Sequence, residues 1–122
     1  MDVQFKRVYD PVSQSDGVRI LVDGIWPRGI KKEDLLLDYW LKYAAPSISL
    51  RKWFSHDEEK WEEFKKLYFA ELKGKAETLD KLTAIAKNNN KLTLLYSARN
   101  RRYNQAAALK EFLENELEIS EK

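Results

Sequence analysis

Two short apolar runs, Val18-Arg19-Ile20-Leu21-Val22 and Leu92-Thr93-Leu94-Leu95-Tyr96, constrain the fold of this chain more than any other feature. A run that short and that apolar suits a strand buried on both faces, as in a parallel sheet covered by helices. Both runs leave into polar residues. The first exits through Asp23-Gly24 toward Trp26-Pro27-Arg28-Gly29, the second through Ser97-Ala98-Arg99. The two strands are expected in one sheet, as neighbours, with their exits side by side.

The remaining segments fit around that pair. Val3 to Val8 is β-prone and alternating, and reads as a first strand. Asp10-Pro11 and Ser15-Asp16-Gly17 punctuate a loop. Leu35 to Ala44 reads as either strand or helix and ends at Pro46. Ser47 is placed to cap a short helix through Phe54. Ser55-His56-Asp57-Glu58 has the pattern of a capping box. Trp61, Phe64, Tyr68 and Leu72 follow at helical spacing, which predicts a helix over 56–73 with these residues on its core face. Leu79, Leu82 and Ala86 predict a second helix, stopped by Asn88-Asn89-Asn90. Ala106, Leu109, Leu113 and Leu117 predict a last helix from about Tyr103. The order implies one α/β domain over residues 1–122, a small and mostly parallel sheet of about four strands covered by helices. A hairpin between the first two strands would make that sheet mixed.

Composition narrows the function classes. The chain has 122 residues and no cysteine, so disulfides, thiolate chemistry and Cys-based zinc sites are excluded. The N-terminus has no apolar h-region, and no apolar run approaches the roughly 20 residues of a membrane span. The expected address is the cytosol, with no membrane partner. Net charge is only +2, but its distribution is uneven. Lys91, Arg99, Arg101, Arg102 and Lys110 occur over 91–110 without an acid, while 111–122 carries five glutamates against Lys122. That is either complementary surface charge around a terminal helix or an anion site at the start of the basic stretch.

Ligands of open parallel sheets gather beyond the carboxyl ends of the strands. Arg28 and Arg99 lie on the two polar exits, and their guanidinium forks match phosphate or carboxylate geometry. The alternative is that they bond to loop carbonyls or to Asp23. Trp26-Pro27-Arg28-Gly29 also reads as a rigid corner, with Trp26 in the core and Gly29 at an unusual backbone angle. His56, the single histidine, is the one obvious acid–base candidate. One histidine builds no His-based metal cluster, and no metal or cofactor is expected. Ser47 and Ser97 are the candidate nucleophiles, neither in a Gly-x-Ser-x-Gly elbow. Neither a dinucleotide fingerprint nor a P-loop is present.

Along these same residues the chain resembles a known family. Asp16 to Asp23, Trp26-Pro27-Arg28-Gly29, Ala45-Pro46-Ser47, Leu50 to Phe54, His56-Asp57, Trp61 to Phe64, Leu92 to Arg99 and Asn104 match, in order, the signature of the YeaO-like family, domain of unknown function 488. The resemblance implies a compact bacterial or archaeal α/β protein and carries over Arg28, Ser47, Arg51, His56, Arg99 and Asn104 as its recurrent polar positions. Two positions depart from it. Gly24 stands where the family usually has arginine, and Gln105 where it usually has histidine.

These observations point to a site for a small phosphate- or carboxylate-bearing ligand at the strand ends. Arg28, Arg51 and Arg99 would clamp the anion, Ser47 and Asn104 would orient the ligand, and His56 would supply acid–base chemistry. An enzyme built this way would be a metal-free hydrolase or transferase. The rival reading is a nucleic-acid or protein interaction module using Arg99 to Arg102.

Overall fold

In the computed structural model, which describes residues 2–115, four strands form one sheet. They are β1 (Asp2–Arg7), β2 (Val18–Leu21), β3 (Tyr39–Trp40) and β4 (Lys91–Tyr96), in the spatial order β1-β4-β2-β3. Every pairing is parallel: β4 runs beside β1 from Asp2↔Lys91 to Arg7↔Tyr96 and beside β2 from Val18↔Leu92 to Leu21↔Leu95. The two apolar runs are neighbours, as their composition requires of strands covered on both faces. Because β4 inserts between β1 and β2, the early strands form no hairpin, and the sheet is parallel rather than mixed.

Five helices complete the fold: α1 (Lys32–Leu35), α2 (Ile48–Phe54), α3 (Trp61–Lys73), α4 (Ala76–Lys87) and α5 (Gln105–Asn115). Alternation along the strands divides the core in two. Ile20, Val22, Leu92, Leu94 and Tyr96 pack with Phe54, Phe64, Tyr68, Leu82 and Leu109 of α2 to α5. Leu21 and Leu95 turn the other way, against Val8, Leu35 and Trp26. That second face also holds a buried ionic hub, in which Asp16 accepts from Lys6 at 2.9 Å and from Arg19 at 2.5 Å. Gly17 makes the entry to β2 possible: its φ is +68°, and a Cβ there would lie 2.5 Å from the Lys91 carbonyl oxygen.

Three expectations need correction. The 35–44 segment is neither one strand nor one helix. Leu36 enters the left-handed region at φ 53° and ends α1, β3 is an edge strand of two residues, and a 3-10 turn covers Lys42–Ala44. The helix expected over 56–73 begins at Trp61, and Ser55 is no N-cap. Ser55 closes α2 through its amide bond to Arg51 O, and it and His56 both adopt positive φ, 46° and 56°. Asp57 then caps a 3-10 turn, Glu58–Lys60, and a true capping box stands at Ser13 and Asp16. Phe64, Tyr68 and Leu72 are buried, but Trp61 is half-buried at the rim, edge-on to Tyr103 at 5.4 Å. Leu117, expected on the last helix, lies outside the described residues. No helix among the described residues is long and apolar enough to cross a membrane.

Candidate functional site

Parallel neighbours end on the same edge of a sheet, so the exits of β2 and β4 meet. The ladder runs one residue past β2, Val22 N–H donating to Leu95 O at 3.0 Å, and the next residue of each chain path is polar. Asp23 is buried there, 7% exposed. Its Oδ2 accepts from the Ser97 amide at 3.0 Å and from Ser97 Oγ at 2.6 Å, while Oδ1 accepts from Gln105 Nε2 at the start of α5. Burial pushes the Asp23 carboxyl above its ordinary value of 3.8, against the opposing pull of Ser97, the Arg51 charge and Gln105.

Above this carboxylate opens a cleft of about 370 Å³. Its polar wall is Asp23, Arg28, Arg51, His56, Ser97 and Gln105; its apolar wall is Tyr9, Ile25, Trp26, Pro27 and Ala98. The Trp-Pro-Arg-Gly corner shapes the mouth. Trp26 Nε1 donates to Ile30 O at 2.8 Å, Gly29 takes φ +81°, and the ring of Trp26 meets Trp40 edge-on at 5.4 Å. Tyr9 Oη donates to the Arg28 carbonyl at 2.8 Å, and Arg7 secures the opposite exit through Ala98 O and Ser97 O at 2.9 and 3.1 Å.

Three of the residues expected at the site, Arg28, Arg51 and His56, line this one cleft. Arg28 is exposed, and its guanidinium has no partner among the described residues. Arg51, on α2, reaches the Asp23 carboxylate electrostatically, yet its Nε is buried without a hydrogen-bond partner. His56 sits on the strained link after α2, where its ring packs on Phe54 and its Nδ1 lies 2.8 Å from Tyr103 O. A carbonyl only accepts, so Nδ1 carries a proton and donates it to Tyr103 O.

The other three do not line it. Arg99 is exposed beyond the cleft wall. Ser47 caps α2, accepting from the Leu50 amide at 3.2 Å and donating to Glu71 at 2.6 Å. Asn104 is fully buried, and its side chain is committed to Asn100 O and the Ala107 amide at the start of α5. Within the basic stretch, Arg101 forms a fork with Asp10 at 2.8 and 2.9 Å and holds the Asp10 carboxyl below its ordinary value. Among the described residues no group of three or more His, Asp or Glu side chains is placed to hold a metal ion.

The bond network on Asp23 is the part that sequence reading does not reach. Asp23 and Ser97 are recognisable as first polar residues after buried strands, which predicts that they meet. Gln105 and Tyr9 carry no such signal, and only the fold brings them to the cleft.

Gly24 adds one local feature. A Cβ there would lie 4.0 Å from Arg51 Nη2, so a side chain at this position would run beside that guanidinium.

Comparison with known proteins agrees with the motif resemblance. The chain is 50% identical over 113 residues to the uncharacterized protein YeaO of Escherichia coli (strain K12), covering 93% of this chain and 97% of that one. It is 46% identical over 70 residues to the uncharacterized proteins Mb3100c of Mycobacterium bovis and Rv3073c of Mycobacterium tuberculosis, covering 57% of this chain and 59% of each of theirs. No solved structure matches it. The family model described as the inactive DUF488-N3 subclade matches residues 2–122. Over nearly its whole length, then, the chain belongs to the YeaO-like DUF488 family, in the branch called its inactive DUF488-N3 subclade.

Proposed function

We propose that this protein binds a small ligand through a phosphate or carboxylate group in the cleft at the β2 and β4 exits, and holds it without turning it over. The observation that carries the reading is Arg51. Its Nε is buried with no acceptor, a state that costs about 1–3 kcal/mol in a folded protein and needs a reason. Arg28, at the mouth of the same cleft, also has a guanidinium with no partner among the described residues. Two guanidiniums line one cavity without a hydrogen bond among the described residues, a setting that suits an oxyanion. A volume of about 370 Å³ lies near the lower end of small-molecule sites. The subclade's description as inactive suits a pocket that binds without catalysis.

The test is calorimetric titration with phenyl phosphate and phenylacetate, two probes with one body and different anionic heads. A charge-assisted hydrogen bond contributes roughly 1.5–3 kcal/mol, so Arg28→Gln and Arg51→Gln should each weaken binding by about ten- to a hundred-fold. Arg99→Gln should leave it unchanged. Binding that survives both cleft substitutions would sink the reading. The rival nucleic-acid module has less support, because Arg101 is already spent on Asp10.

A further inference from the structure

We infer that the cleft selects a singly charged organic acid with an apolar body, a monocarboxylate, over a doubly charged phosphate ester. This rests on the anion-binding reading above and sharpens it. The argument begins with charge. The cleft wall carries two cations, Arg28 and Arg51, and one anion, Asp23. At the pH 8 of the test below, Asp23 is counted as an anion. All three of its contacts, the Ser97 amide, Ser97 Oγ and Gln105 Nε2, donate to it, and Arg51 is the cation acting on it. A hydrogen-bond pattern made only of donors favours the ionised carboxylate. The wall therefore presents one net positive charge. A monoanion closes that balance, whereas a dianion brings excess negative charge beside a carboxylate that is 7% exposed and poorly screened.

The other half of the wall argues for the body. Ile25 is 67% exposed at the mouth, a large aliphatic side chain left in water beside a charged arginine. Tyr9, Trp26, Pro27 and Ala98 continue that surface. The fold explains Trp26, which joins the second core, and Pro27, which is buried; it gives no packing reason for Ile25. An inorganic anion would leave this wall bare. A ligand with its carboxylate at Arg51 and an aromatic or branched body against Ile25 and Tyr9 would use both halves.

The experiment compares phenylacetate with phenyl phosphate on the full chain at pH 8. There the phosphate is a dianion, its second ionisation lying near pH 6. Phenylacetate should bind at least about tenfold more tightly, the scale on which one charge at close range shifts a neighbouring equilibrium. Asp23→Asn should remove that preference by strengthening phenyl phosphate binding about tenfold. Should the Asn variant not fold, the wild-type ratio alone decides. Phenyl phosphate binding more tightly than phenylacetate, with both weakened by Arg51→Gln, would overturn the selectivity and leave the anion site standing. If neither probe binds the wild-type chain, both inferences fall.

Discussion

Replacing Arg51 with methionine separates a ligand-binding arginine from a structural counter-ion. Methionine keeps most of the aliphatic stem and removes the guanidinium. Two opposing terms set the stability change. The variant no longer buries an unsatisfied Nε donor, which relieves about 1–3 kcal/mol. It also loses the attraction between Arg51 and Asp23. No hydrogen bond or ion pair within 4.0 Å joins the two among the described residues, so the loss stays below the roughly 4 kcal/mol of a 4 Å charge pair at an effective dielectric near 20. Asp23 keeps its three donors from Ser97 and Gln105, and it can limit the loss by taking up a proton. The two terms oppose one another, and the variant should unfold in urea within about 1 kcal/mol of wild type. Tryptophan fluorescence reads the transition, and a thermal melt should shift by no more than about 6 °C. Anion binding, in contrast, should fall at least tenfold. A loss of about 3 kcal/mol or more would refute the argument, because that is the cost of breaking a buried ion pair.

Two further outcomes test the fold. Phe64→Ala should cost about 3–5 kcal/mol, because Phe64 is 1% exposed and stacked on Phe54 at 4.1 Å, whereas the half-buried Trp61 should cost roughly half as much on truncation. Equal losses in paired urea titrations would contradict that difference. Asp16 and Asp23 should respond to pH in opposite directions. Burial works against ionised Asp16, yet Lys6, the Ser13 amide and Arg19 together hold its carboxyl below 3.8. Its stabilisation is therefore complete above pH 3.8 and disappears as the pH falls through the lowered folded value. Asp23 is raised by burial, so its contribution is complete at low pH and is lost as the pH rises from 3.8 through the raised value. Differences between wild type and Asp16→Asn, and between wild type and Asp23→Asn, measured in urea from pH 3 to 7, should slope in opposite senses.

What was legible in the chain follows from length scale. Val18–Val22 and Leu92–Tyr96 declare themselves because a continuous apolar run has few places to go, and both became adjacent strands. α4 is equally plain, since its apolar spacing spans three turns. Segments of two to four residues are not legible in this way. β3 is a strand only because Asp38 N–H and Leu41 N–H reach Arg19 O and Leu21 O across the sheet, contacts no local pattern encodes. The Ser55–Glu58 motif misleads for a related reason. A capping box needs extended backbone at its serine, and Ser55 is already in left-handed geometry as the C-cap of α2. In the site, guanidiniums can be found by residue type, but partners cannot. Asn104 resembles a ligand donor in sequence and is a helix cap in the fold; Gln105, beside it, reaches across to Asp23.

That distribution of partners bears on holding against transforming. Every acid–base group in the cleft is already oriented by the protein. Ser97 gives its hydroxyl proton to Asp23 at 2.6 Å, and His56 gives its Nδ1 proton to Tyr103 O at 2.8 Å. No hydrogen bond among the described residues links His56 to Ser97, so a base and a nucleophile share the cleft without forming a relay. The second oxygen of Asp23 is occupied by Gln105, an amide that donates a hydrogen bond but does not titrate. The cleft groups without a side-chain hydrogen bond among the described residues are two that cannot give up a proton near neutral pH, Arg28 and Arg51. Proton transfer needs a titrating group facing a reactive one, while retention of an anion needs fixed positive charge and spare donors. The cleft carries the second set, which is the basis of the proposed anion-binding function.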